Sequence, residues 1–129
     1  HEHFNAAHKL YNPAWNEQKN IEVFGKCANS NWHGHNYELI VTIKGEIDLN
    51  TGFLMDAKLL SKILNEEVCE KIDHKNLNLD VDFMKNILPS TENLAIGIWN
   101  QIVPHLPTNV KLHCVKLYET RNICVEYFG

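Results

Sequence analysis

The run Cys27-Ala-Asn-Ser-Asn-Trp-His33-Gly-His35-Asn-Tyr37-Glu-Leu39-Ile-Val41-Thr-Ile43 decides how this chain reads. From Tyr37 to Glu46 it is rich in β-branched and aromatic residues, the composition of a strand. Side chains alternate along a strand, so positions of one parity share a face. Tyr37, Leu39, Val41 and Ile43 are apolar and of one parity, and His33 and His35 continue the same row. Two imidazoles therefore stand on an inward face, with the thiol of Cys27 six positions before the first of them. A metal site or a nucleophilic site is built from such parts.

Upstream, Phe4, Ala6, His8 and Leu10 alternate with small or polar residues and predict a first strand. Tyr11 to Lys26 reads as a long loop. Asp48 to Gly52 is a turn, and Asp56 is a plausible N-cap for a helix from Asp56 to Ile72, in which Leu60, Ile63, Leu64, Val68 and Ile72 recur at helical spacing. Asp73 to Asn78 breaks that pattern. Pro89-Ser90-Thr91-Glu92 opens a second helix, with a hydroxyl cap and an acid in the first turn. Pro104 and Pro107 end it. Val110 to Glu119 and Asn122 to Phe128 are two further strands around the turn Thr120-Arg-Asn122. The order is β-β-α-α-β-β, an α+β domain with an antiparallel sheet and both helices on one side. Strands this long leave edges to be covered, and oligomerisation is one way to cover them.

The chain of 129 residues is one domain's worth, residues 1–129. Its net charge of −4 lacks the basic stripe that nucleic acid requires, and no apolar run is long enough to span a membrane. No signal peptide is visible, and His1-Glu2-His3 reads equally as tag remnant or as trimmed native sequence. Cys27, Cys69, Cys114 and Cys124 show no C-x-x-C spacing. A chain with a real core needs no disulfides, so reduced thiols and a cytoplasmic location are expected. Cys114 and Cys124 either face each other across a hairpin or, the favoured reading, are two small buried residues.

Zinc takes three or four N, S or O ligands, and a catalytic site keeps one position open. His33 and His35 supply two. His8, of the same parity as Phe4 and Ala6, is the best third; alone it would read as a core histidine. Cys27, in a loop beside Lys26, Asn29 and Asn31, is either a base or nucleophile or a buried small residue. Asp73-His74 is either an orienting pair for proton transfer or a polar turn. Glu119 shares a face with Val115 and Leu117, where a carboxylate needs a partner: a ligand with an N–H-rich edge, or a rim salt bridge. His105 and His113 read as structural or surface residues.

These fragments together resemble the 6-pyruvoyl-tetrahydropterin synthase family, which includes the 6-carboxy-tetrahydropterin synthases of queuosine biosynthesis. The matching pieces are Phe4-Asn-Ala-Ala-His8-Lys-Leu10, Cys27-x5-His33-Gly-His35-Asn-Tyr37, Asp73-His74-Lys-Asn-Leu-Asn78, Ser90-Thr91-Glu92-Asn93-Leu94-Ala95, Trp99 and Tyr118-Glu119-Thr120, in family order. The resemblance implies a tunnelling fold (T-fold): a four-stranded antiparallel sheet with two helices on one face. It further implies trimers closed into a barrel, stacked as a homo-hexamer, with active sites between subunits. Carried over, His8, His33 and His35 bind Zn2+, Cys27 is the catalytic base, and Asp73 and His74 complete the proton-transfer set. Glu119 anchors the pterin ring, with Ser90, Thr91 and Glu92 assisting. The implied reaction converts 7,8-dihydroneopterin triphosphate to 6-pyruvoyl-tetrahydropterin with loss of triphosphate, in tetrahydrobiopterin biosynthesis. The carboxy branch, releasing acetaldehyde as well, is the alternative, and the six-position step from Cys27 to His33 favours the pyruvoyl branch. A non-enzymatic zinc- or pterin-binding module, and behind it an unrelated three-histidine hydrolase, are the rival classes.

Overall fold

The computed structural model describes all residues, His1–Gly129. The strands are β1 (Glu2–His8), β2 (His33–Gly45), β3 (Lys75–Asn76), β4 (Val110–Thr120) and β5 (Ile123–Tyr127). They form one sheet in the order β3-β1-β2-β4-β5. The helices are α1 (Glu17–Phe24), α2 (Ala57–Leu64) and α3 (Thr91–Ile102). The architecture is the α+β class expected, with two differences.

The sheet has five strands, not four, and one pair is parallel. The addition is β3, where Lys75 and Asn76 pair with Ala6 and Ala7. Two residues carry no readable alternation. They pair because the turn after α2 is tied to β1, with His74 N–H donating to the Asn5 carbonyl at 2.7 Å and Leu77 N–H to the Ala7 carbonyl at 2.8 Å. The other difference is α1, inside the segment that reads as a loop. Its buried residue is Asn20, while Ile21 and Val23 face outward. An amphipathic pattern is therefore absent, and polar bonds stand in its place. Asn16 caps the helix by accepting from Lys19 N–H at 2.8 Å. Asn20 Oδ1 accepts from Asn12 N–H at 2.7 Å, and its Nδ2 donates to the Asn12 and Asn16 carbonyls, both at 3.0 Å.

The two long helices follow their predicted caps: Asp56 accepts from Lys58 N–H, and Ser90 from Asn93 N–H. After Leu64 the chain widens into a π turn, Asn65–Cys69, before a last α turn, Glu70–Ile72. The core lies between the sheet and α2 and α3. From the sheet it takes Phe4, Tyr37, Leu39, Val115 and Leu117, and from the helices Leu64, Val68, Ile72, Leu94, Ile98 and Ile102. The row begun by His33 and His35 does run inward, Tyr37 and Leu39 being buried. β1 and β2 are antiparallel and in register, pairing His8 with His33 and Ala6 with His35. β4 continues on the other side, Leu39 opposite Leu117. Cys114 and Cys124 are free thiols and not cross-strand partners: Cys124 pairs with Tyr118. Cys114 is buried as expected, but Cys124 is exposed because β5 is an edge strand. No helix is long and apolar enough to cross a membrane.

Candidate active site

Three strands converge where the core row ends in polar residues. β1 contributes His8, β2 contributes His33 and His35, and β4 contributes Glu119. One ligand-capable atom of each lies within 4.8 Å of the others. Gly34, between the two β2 histidines, keeps the strands close: a Cβ there would stand 3.2 Å from the Ala6 carbonyl oxygen. Glu119 reaches the group through a β-bulge. Tyr118 pairs with Cys124 and Thr120 with Ile123, so Glu119 is the extra residue on β4. A bulge re-aims a side chain in this way.

The ring nitrogens decide what the group can hold. His8 is buried and its Nδ1 donates to the Pro89 carbonyl at 2.8 Å. That bond fixes the tautomer and leaves the Nε2 lone pair free. His8 Nε2 and His35 Nε2 approach one oxygen of Glu119, Oε1, at 3.1 and 3.2 Å. Neither meets it with hydrogen-bond geometry; both atoms, with His33 Nδ1, are buried without a hydrogen-bond partner. Orphaned buried nitrogens are costly, and lone pairs converging on a carboxylate fit a cation between them. Three imidazoles form an open nitrogen donor set suited to zinc, with the carboxylate beside it.

The electrostatics agree with that use. Burial first, and the neighbouring imidazoles with it, pull His33 below the ordinary histidine range; burial does the same for His35, against the opposing charge of Glu119. Neutral imidazole is the metal-binding form. Contact with His8, together with His35 and the Thr91 hydroxyl, holds the Glu119 carboxyl below the usual carboxylate range in spite of its burial. Tyr37 lies under the group, its ring 5.7 Å from that of His35, and its hydroxyl is buried and unpaired. Burial and the Glu119 charge push that hydroxyl's pKa up. Tyr37 reads in the sequence only as a core position, although it stands in the same row as the histidines. The Pro89 carbonyl carries no sequence signal at all.

The remaining predicted residues are not among the converging ligand atoms. Cys27 sits half-buried in the 3-10 turn Gly25–Ala28, and its carbonyl accepts from Leu10 N–H at 2.9 Å. That bond ties its loop to the residues just after His8. Asp73 and His74 are bonded to each other, His74 Nδ1 to Asp73 Oδ2 at 2.9 Å. His74 holds a left-handed backbone with φ of 59°, and the Asn5 N–H donates to Asp73 Oδ1 at 2.7 Å. That N–H first, and His74 second, hold Asp73 below the carboxylate range. His74 is 78% exposed and lines a shallow hollow with Asn5, Ala7, Asn36 and His35 itself. Thr91 is buried beside Glu119, Ser90 is occupied as a helix cap, and Glu92 is exposed.

Comparison with known proteins gives this constellation its context. The family model for 6-pyruvoyl tetrahydropterin synthase matches residues 1–129. The chain is 44% identical over 126 residues to the 6-pyruvoyl tetrahydrobiopterin synthase of Homo sapiens, covering 98% of this chain and 86% of that one. It is 34% identical over 123 residues to a dihydroneopterin monophosphate aldolase of Pyrococcus furiosus, covering 95% of this chain and 89% of that one. The solved structure of the Caenorhabditis elegans 6-pyruvoyl tetrahydropterin synthase superposes with a TM-score of 0.91 at 36% identity, covering 99% of this chain and 91% of that one. The chain thus belongs to the 6-pyruvoyl tetrahydropterin synthase family and is an enzyme of that lyase type.

Proposed function

We propose that this enzyme converts 7,8-dihydroneopterin triphosphate to 6-pyruvoyl-tetrahydropterin with loss of triphosphate, at a site centred on His8, His33 and His35. The observation that carries the proposal is the convergence of His8 Nε2 and His35 Nε2, both without hydrogen-bond partners, on one oxygen of Glu119. These histidines would hold a zinc ion, which when bound polarises the side-chain hydroxyls of the substrate and acidifies the neighbouring C–H bonds.

The protein's own groups supply the rest. Cys27, as thiolate, takes a proton from the side-chain carbon. His74 exchanges protons with Asp73 behind it; the carboxylate accepts from Nδ1 and leaves Nε2 to face the substrate. Glu119 accepts from the N–H edge of the pterin, and the Thr91 hydroxyl, donating to Glu119, keeps that carboxylate in place. The hollow lined by His74 is lined by His35 as well, so the pair and the histidine group open onto a common space. The sheet leaves β3 and β5 as open edges, which favours a homo-oligomer, a hexamer by resemblance, with its sites between subunits.

The test is product identification by mass after incubation of the zinc-loaded protein with 7,8-dihydroneopterin triphosphate. The pyruvoyl product is expected. A product lacking two side-chain carbons would assign the carboxy reaction instead, and unchanged substrate would refute both.

A further inference from the structure

Lys9 follows the metal-facing His8, yet forms no ion pair. Its ammonium lies instead between two aromatic rings, 4.9 Å from the centroid of Tyr11 and 5.0 Å from that of Trp32. Its backbone is clamped on both sides by one amide. Lys9 N–H donates to Asn78 Oδ1, and Asn78 Nδ2 donates to the Lys9 carbonyl, each at 3.0 Å. A cation held by π faces keeps its charge available, because no carboxylate neutralises it.

Trp32 adopts φ of +62°. For a bulky side chain that conformation is a true outlier, costing on the order of 1–3 kcal/mol, and such strain concentrates at functional positions. Asn86 shares the conformation, also at +62°, at the far side of the same region.

Between Lys9, Tyr11 and Asn86 is a hollow of about 560 Å³, with Trp32 behind Lys9 and outside its lining. Lys9, Tyr11, Asn12, Asn78, Asn86 and Pro89 line it, and no Asp or Glu does, in a chain whose net charge is −4. Cation, amide and hydroxyl donors without acids make an anion-binding lining. The hollow also abuts the histidine pocket: Pro89, whose carbonyl orients His8, forms part of its wall.

We propose that this hollow is an anion subsite, with Lys9 as its cation and Trp32 and Tyr11 as the clamp that positions it, and that it takes the phosphate chain of the substrate. The assignment of the ligand rests on the pterin triphosphate reading above; the site itself rests on Lys9 and the acid-free lining.

The probe is inorganic tripolyphosphate, titrated against tryptophan fluorescence at low salt, with Trp32 as the reporter. Saturable binding that weakens with added salt is expected. Lys9→Gln should weaken it about tenfold, the worth of one charge-assisted contact, with zinc content unchanged. Asn86→Asp, which tolerates the same backbone conformation, should weaken it as well, and Lys116→Gln, on β4 and paired with Glu126, should not. With the pterin substrate, Lys9→Gln should raise KM and leave kcat unchanged, the mark of binding shared by ground and transition states. Absence of binding in the wild type, or wild-type affinity in Lys9→Gln, would overturn the proposal. So would binding that vanishes in His33→Ala but survives in Lys9→Gln, since the anion would then sit on the metal. Tripolyphosphate binding with the predicted Lys9 dependence, but no pterin turnover, would uphold the subsite and remove the pterin assignment.

Discussion

Replacing His33 by alanine should abolish the response of stability to zinc while leaving the metal-free fold nearly as stable as before. In the metal-free chain, His8 Nε2, His33 Nδ1 and His35 Nε2 are buried without partners. Each such atom costs about 1–3 kcal/mol. His33→Ala removes one of them and forfeits the contacts of a half-buried ring, worth about 1–2 kcal/mol by area. The two contributions oppose each other, so the metal-free change should fall within about 2 kcal/mol of zero. The loaded wild type is different. A ligand that binds only the native state adds about 4 kcal/mol at a thousandfold excess over its Kd. For 129 residues the entropy of unfolding is about 0.27 kcal/mol/K, so the melting temperature should rise by about 15 °C. Circular-dichroism melts of EDTA-treated protein, with and without added zinc chloride, read both quantities. His33→Ala retaining the full zinc-dependent rise would refute the ligand set. A metal-free His33→Ala melting more than about 10 °C below the metal-free wild type would refute the balance between orphaned nitrogen and lost contacts.

Cys27→Ala should keep zinc and pterin binding and lose most turnover, measured by product formation beside metal analysis; unchanged turnover would remove Cys27 as the base. Thiol titration at pH 8 should find Cys124 quick and Cys69 and Cys114 silent until denaturant is added, because burial pushes Cys69 up to about 11 and raises Cys114 as well. Asp73 is held below its unfolded value by the Asn5 N–H and His74. Its contribution to stability is therefore fully present above the unfolded pKa, about 3.9, and is lost as pH falls through the lower folded value. Urea melts should show Asp73→Asn less stable than wild type by a constant margin from pH 7 to 5, the margin closing toward pH 3; a margin independent of pH would contradict the anchoring role. Glu119→Gln should retain zinc and raise the KM for pterin, and loss of zinc in that variant would make Glu119 a metal ligand instead.

The histidine pocket was legible in the sequence because parity is a strong rule on strands. The one-parity rows of β1 and β2 bring His8, His33 and His35 together as soon as the strands pair in register. Glu119 was legible as a carboxylate on an apolar face, but the bulge that turns it toward the histidines was not. Helix α1 was missed because its buried anchor is an asparagine, and β3 because two residues cannot show a period. The Asp73–His74 dipeptide reads in the sequence equally as an orienting pair and as a polar turn. Neighbours in sequence meet here with His74 in the left-handed region, a conformation that residue type only weakly announces. Where a backbone carbonyl does the work, as at Pro89, the identity of the side chain says nothing.

The π turn at Asn65–Cys69 works as a phase correction. Ile63 and Val68, and Leu64 and Cys69, are buried pairs five residues apart, whereas Val68 and Ile72 are four apart. In a uniform α-helix a step of five would carry the second residue of each pair well off the buried face, since each residue turns about 100°. The wide turn absorbs that surplus residue. It lets the helix arrive at its end with Ile72 inward and Asp73 directed to the Asn5 N–H. Deleting a single residue from this stretch would straighten the helix and leave its packing pattern plausible on paper. Straightening the turn without that deletion would instead swing the Asp73–His74 pair about a quarter-turn away from β1. The irregular turn thus sets the clock angle at which a distant pair of side chains is delivered.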